Sequence, residues 1–250
     1  MSSQRTEVIY GLHAVRALLT RHPERVARVY LQQGRHDERA DEIERLARAA
    51  GREVARLDAR QLQARLGEAV HQGIVAEVAP LAAWTEEQLL EAVTASAQPL
   101  LLALDGVQDP HNLGACLRTA DACGVLAVIV PRDRAAPLNA TARKVAAGAA
   151  ESTPVVTVTN LARTLGLLKG AGLWIVGADA QAAQLAHQID LTGPRVLVMG
   201  AEGAGLRQLT RRHCDWLARL PNLGAVQSLN VSVATGMLLY EALRQRGAPG

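Results

Sequence analysis

The sequence contains no phenylalanine and only three tryptophans and three tyrosines in 250 residues. Proteins that read single-stranded nucleic acid by stacking its bases need exposed aromatic rings. Recognition of that kind is therefore disfavoured, and the core has to be built from Leu, Val and Ala. Lysine is also nearly missing: Lys144 and Lys169 are the two lysines among 27 basic residues, and the other 25 are Arg. A guanidinium fork binds phosphate at two points, but a codon bias toward GC produces the same composition. Against 24 acidic residues the surplus permits a polyanionic partner without establishing one.

Cys116, Cys123 and Cys214 form no CxxC pair, which points to a reducing compartment and a cytoplasmic setting. A catalytic zinc needs three protein ligands. The adjacent His213 and Cys214 have no matching pair elsewhere, so no metal is expected. No run reaches the roughly 18 apolar residues of a membrane span, and residues 1–7 are polar and lack an apolar signal core. A soluble chain is expected.

What is present is enough apolar material, 49% of the residues, to bury a proper core. Short strands are predicted at 26–31, 53–57 and 73–78 around a charged helix at 37–50, which reads as a small α/β domain over 1–79. Residues 80–98, with proline at 80 and 99, read as a linker with a short helix. From 99 to 250 the pattern becomes strands alternating with helices, at 100–104, 125–130, 154–158, 173–176 and 196–199, closed by a helix over 229–244. Such alternation implies a parallel sheet covered on both faces.

Three clusters interrupt this apolar pattern. The first runs from Asp105 to Asp121, leaving a strand, turning at Pro110 and entering a helix. Asn112 suits a helix N-cap. Arg118 lies inside an otherwise apolar helix, so its charge must reach solvent, a carboxylate or a phosphate. His111 and Asp109 read as solvated loop residues, and Cys116 and Cys123 as small core residues. The second cluster, 196–206, is a buried strand running into a glycine turn of spacing GxxGxG, which is not the dinucleotide fingerprint. Glu202 in that turn would repel a phosphate, so a phosphate-free or cationic ligand such as a sulfonium fits better. In the third cluster, 220–236, Ser228 could serve as an N-cap. Gln227, Ser228 and Asn230 together exceed what one cap needs, and the excess suggests a binding surface.

These clusters, NLGACLRTA (112–120), VLVMGAEGAGL (196–206) and LPNLGAVQSLNVSVATG (220–236), resemble in order and spacing the three motifs of the SpoU/TrmH family of SPOUT methyltransferases. The likeness spans about 99–245. The stretches VIYGLHAVRALL (8–19) and HQGIVAEV (71–78, beginning at His71) resemble the small substrate-binding domain of its ribosomal-RNA members. The resemblance implies an α/β SPOUT domain with a parallel sheet and a deep trefoil knot, preceded by an α/β RNA-binding domain of the ribosomal-protein (L30e/L7Ae-like) kind. It implies S-adenosyl-L-methionine as cofactor, held around Met199, Gly200, Ala201, Leu220, Ser228 and Leu229. It implies a homodimer with the last helix at the interface. Its expected reaction is 2'-O-methylation of a guanosine ribose in 23S rRNA, in the peptidyl-transferase P-loop.

By the same resemblance Arg118 is the principal catalytic residue, with Asn112, Glu202, Ser228 and Asn230 arranging cofactor, ribose and phosphate. Arginine's pKa lies above about 12, so holding the target phosphate suits Arg118 better than acting as a free base. Either it or the phosphate receives the proton. Three rivals stand beside this reading: a 2'-O-methyltransferase acting on tRNA or another rRNA site, a non-catalytic RNA-binding assembly protein, and a nucleotide-dependent oxidoreductase.

Overall fold

In chain order the strands are β1 (Glu7–Tyr10), β2 (Val26–Gln32), β3 (Glu53–Leu57), β4 (Ile74–Val78), β5 (Leu100–Asp105), β6 (Ala127–Pro131), β7 (Val155–Val158), β8 (Trp174–Ala178), β9 (Gln184–Leu185), β10 (Arg195–Gly200) and β11 (Trp216–Arg219). The helices are α1 (Leu12–Arg21), α2 (Glu38–Ala49), α3 (Ala59–Leu66), α4 (Glu86–Ala95), α5 (Pro110–Ala122), α6 (Ala140–Val145), α7 (Leu161–Gly170), α8 (Gln208–His213) and α9 (Val231–Gln245). The computed structural model describes residues 6–35, 37–66, 72–80, 83–225 and 228–247, so His71 and Gln227, both singled out above, lie outside the described residues. Two units separate: residues 1–82 with 138–152, and residues 83–137 with 153–250.

The first unit has a sheet of order β1-β4-β2-β3, with β4 antiparallel to β1 and β2 and β3 parallel to β2. A parallel neighbour needs a crossover, and α2 provides it. That helix starts at Asp37, whose side chain accepts the Ala40 N–H at 2.9 Å and satisfies one of the first-turn donors. On α1, Leu12, Val15, Leu18 and Leu19 fall on one face at helical spacing and pack with Ile9, Val29 and Ile43. β1 and α1, in the stretch 8–19 that was matched to a family and not assigned elements, complete this core.

A segment that follows β6 in the sequence also belongs to this unit. Asn139 caps α6 by accepting the Ala142 N–H at 3.0 Å. Glu151, its side chain only 2% exposed, pairs with Arg143 at 2.6 Å and with Arg25. Gly148 has φ +100°, and a methyl group on it would meet Ala17 Cβ at 2.5 Å, so glycine is required there.

The second unit is a sheet of seven strands, all pairs parallel, in the order β7-β6-β5-β10-β8-β11-β9. β5 and β10 run in register from Leu100 beside Arg195 to Asp105 beside Gly200. Within them 100–104 and 196–199 read as unbroken apolar runs because both faces are covered. On one face Leu89 and Val93 of α4 and Leu161, Leu165 and Leu168 of α7 pack with Leu101, Ile129, Ile175 and Val198. The helix expected within 80–98 is thus α4, begun by a capping box of Thr85 and Gln88 and packed into this core. α5 lies along α9, where Cys116 Sγ meets Thr235 Oγ1 at 3.5 Å. The five strands predicted for this half are β5, β6, β7, β8 and β10; β9 and β11 were not anticipated. No described helix is long and apolar enough to cross a membrane.

Candidate active site

Parallel strands bring their carboxyl ends to one edge of the sheet, where ligands of open α/β folds bind. Here β5 ends in Asp105, β10 in Gly200 and β11 in Arg219, and each of the three sequence clusters leaves from one of these ends. Two capping assignments change. Asp109, read as a solvated loop residue, is the N-cap of α5 and accepts the N–H groups of His111 at 3.0 Å and Asn112 at 3.3 Å. Asn112 therefore lies in the first turn with its side chain released from capping. Likewise Asn230, and not Ser228, caps α9: its Oδ1 accepts the Ser232 N–H at 2.9 Å, the Val233 N–H at 3.4 Å and the Ser232 hydroxyl at 2.6 Å.

The side-chain amides of Asn112 and Asn230 meet at Glu202. Its Oε1 accepts Nδ2 of Asn112 at 3.3 Å, Nδ2 of Asn230 at 2.8 Å and the backbone N–H of Val231 at 3.2 Å. Asn230 Nδ2 also donates to Asn112 Oδ1 at 3.0 Å, which closes the network. One residue from each cluster contributes, although Asn112 and Glu202 are 90 positions apart. Glu202 Oε2 has no hydrogen-bond partner among the described residues.

The turn carrying Glu202 is held from both sides. Ala201 and Gly205 exchange backbone hydrogen bonds of 3.1 and 2.8 Å, and a methyl group on Gly200 would fall 2.3 Å from the carbonyl carbon of Gly205. Only glycine permits that approach. At the turn's exit, Asp105, buried at the end of β5, accepts the Arg207 backbone N–H at 2.9 Å and its Nε at 2.5 Å, and also pairs with Nη2. This clasp was missed in the sequence, where its one signal is an aspartate ending an apolar strand.

The other candidates are placed as follows. Arg118 projects from α5 into solvent, and Ser228 is exposed; neither has a hydrogen bond or ion pair among the described residues. Met199 is buried, leaving only its main chain able to reach a ligand, whereas Gly200, Ala201, Leu220 and Leu229 are half-buried near the strand ends or the start of α9. Burial pushes the Cys116 thiol up to about 11 and the Cys214 thiol to about 12, so both stay neutral packing groups. Among the described residues no group of three or more His, Cys, Asp or Glu could hold a metal ion.

Known proteins resemble this chain over nearly its whole length. Residues 99–240 match the SpoU rRNA Methylase family, and residues 8–84 match the family described as RNA 2'-O ribose methyltransferase substrate binding. The 23S rRNA (guanosine-2'-O-)-methyltransferase RlmB of Pseudomonas aeruginosa is 60% identical over 96% of this chain and 97% of its own. RlmB of Escherichia coli K12 is 53% identical over 96% of this chain and 99% of its own. The structure of an AdoMet-bound rRNA methyltransferase from Sinorhizobium meliloti superposes with a TM-score of 0.78 at 25% identity, covering 96% of this chain and 87% of that one.

Proposed function

The chain belongs to the SpoU rRNA methylase family, and from that footing we propose that it methylates the ribose 2'-hydroxyl of a guanosine in 23S rRNA, in the peptidyl-transferase P-loop, using S-adenosylmethionine. The observation that carries the reading is the gathering of Asn112, Asn230 and the start of α9 on one carboxylate oxygen of Glu202.

The residues present suit the cofactor. The turn at Gly200 has no room for a side chain, and its one carboxylate disfavours a phosphate while favouring a cation. The residues proposed to hold S-adenosylmethionine are Gly200, Ala201, Leu220, Ser228 and Leu229, with the main chain of Met199. Bound there, the cofactor supplies a methyl group made electrophilic by its sulfonium charge. Glu202 Oε1 is occupied by three donors, so Oε2 is the acceptor left for an incoming hydroxyl or amine. The Arg118 guanidinium is proposed to hold the target phosphate, which sets the 2'-hydroxyl in line for transfer. The hydroxyl proton then leaves toward that phosphate.

The first unit, which holds most of the matched residues 8–84, is proposed to grip the RNA around its target. Val233, Met237 and Tyr240 are exposed at helical spacing on α9, an apolar stripe that suits burial in a homodimer, and the knot of the SPOUT class is expected in the second unit. With ribosomal RNA as substrate, the cytoplasm is the proposed location.

The test is transfer of a labelled methyl group to 23S rRNA lacking the modification. Label on the ribose of one guanosine, resistant to alkaline cleavage, is expected. Labelling of tRNA alone would overturn the substrate, and no ribose label on any RNA would overturn the activity. Wild-type single-turnover rates for Arg118→Ala at saturating RNA and cofactor would remove Arg118 from the mechanism.

A further inference from the structure

The loop leaving β6 reaches the same edge of the second unit. Its backbone is tied to the β5 turn by the Ala136 N–H, which donates to the Val107 carbonyl at 2.7 Å. A methyl group on Gly106 would lie 3.6 Å from Ala201 Cβ and 3.7 Å from the carbonyl oxygen of Arg134. The Arg134 carbonyl thus lies close to Gly106 of the first cluster, which on the same side faces Ala201, the residue before Glu202. The φ of Arg134 is +57°, and among the described residues of this unit it alone, apart from glycines, has a positive φ.

Glycine would meet that backbone demand without steric cost, whereas a long side chain in the left-handed region is strained. Strain of this kind persists where the surrounding structure imposes it, and it clusters at catalytic and ligand-binding sites. The Arg134 guanidinium is exposed, and it has no hydrogen bond, ion pair or ring contact among the described residues. Arg132 and Asp133 beside it are likewise exposed and unpaired among those residues. The side chain thus contributes nothing visible to the fold and holds a forked cation at the rim of the site.

We propose that Arg134 is an RNA-binding residue that grips a backbone phosphate of the substrate strand beside the reacting nucleotide, an inference that rests on the RNA-methylation reading. A planar guanidinium on a fixed backbone offers two parallel donors to one phosphate, a geometry lysine cannot copy. The contact is separate from the one proposed for Arg118, which projects from α5.

The glycine variant isolates the side chain, because Arg134→Gly keeps the backbone conformation and relieves its strain. Binding of the full-length variant to transcribed 23S rRNA is measured between about 50 and 200 mM salt, with thermal midpoint and S-adenosylmethionine affinity measured alongside. The expected result is a midpoint equal to or above wild type, unchanged cofactor affinity, RNA affinity about tenfold weaker, and a salt slope shallower by about 0.7, the value for one lost contact to a single strand. Arg134→Lys should keep the slope and recover part of the affinity. Wild-type RNA affinity and slope in Arg134→Gly overturn the inference alone, provided that the wild-type protein methylates the same RNA. A wild-type protein that neither binds nor methylates it overturns the reading beneath.

Discussion

Removing the shared acceptor of the site, by Glu202→Ala, separates what the network does for the fold from what it does for the chemistry. The substitution takes one oxygen from three donors, Asn112 Nδ2, Asn230 Nδ2 and the Val231 N–H. A hydrogen bond to a charged group contributes about 1.5–3 kcal/mol net, but these side chains are accessible and water replaces most of what is lost, so the stability cost is about 1 kcal/mol in total. For a chain of this size that lowers the thermal midpoint by about 2–4 °C. The chemical cost is larger, because an in-line methyl transfer tolerates little misplacement, and about 1 Å costs on the order of 100-fold. We expect kcat/KM for 23S rRNA to fall about 100-fold while the midpoint moves only a few degrees. Glu202→Gln, which keeps an acceptor but loses the charge, should fall between. In a cycle with Asn112→Ala the losses should be strongly non-additive, since both residues serve one network. Wild-type kcat/KM in Glu202→Ala, or losses that multiply in the double variant, would refute the reasoning.

Three further outcomes follow from the geometry. Gly200→Ala forces a methyl group to within 2.3 Å of Gly205, so a stability loss of at least about 1–3 kcal/mol and abolished S-adenosylmethionine binding by calorimetry are expected; normal binding would show that the turn does not form the cradle. Glu151→Ala leaves Arg25 without its carboxylate and Arg143 with only Glu7, 3.4 Å away, each arginine side chain being 9% exposed, and denaturant unfolding should report a loss of about 3–5 kcal/mol; a loss under about 1 kcal/mol would mean that the pairs are solvated. Cys116 and Cys214 should resist thiol reagents at pH 8 in the folded protein and react on unfolding. Their folded pKa values are raised to about 11 and about 12 from an ordinary 9.0, so their contribution to stability is whole below pH 9 and is lost as pH rises toward 11 and 12. A thermal midpoint that climbs across that window, or ready labelling at pH 8, would contradict it.

The central strands were legible because a strand covered on both faces must be apolar along its length, and 100–104 and 196–199 satisfy that outright. β11 has four residues, two of them Trp216 and Arg219, and β9 has two, too few for any period to show. The capping errors are instructive. Asp109 and Asn112 are equally good caps by residue type, but Pro110 favours the first helical position, and that rule alone selects Asp109. The membership of 138–152 in the first unit had no local signal, since it depends on Glu151 finding Arg25, 126 positions away. The Asp105 clasp is hidden for the same reason, with Arg207 102 positions off. Resemblance named Asn112, Glu202, Ser228 and Asn230 as a group, and all but Ser228 join one network. Only the structure identifies the single oxygen on which they converge.

That convergence divides the proposed site into two kinds of residue. Asn112, Glu202 and Asn230 satisfy one another within the single chain, so the entropy of ordering them is met when the chain folds, and they stand arranged before any substrate arrives. Arg118 and Ser228 are exposed and unpaired among the described residues, so ordering them is left for the moment of binding. A free guanidinium in water costs the isolated protein nothing, and it gains a partner only when a phosphate displaces that water. If Arg118 had met a carboxylate within the chain, an incoming phosphate would have to break that pair first. On the proposed reading, then, the lack of a partner for Arg118 is what keeps it available to RNA, while the fully bonded Oε1 of Glu202 keeps the open Oε2 in a fixed place.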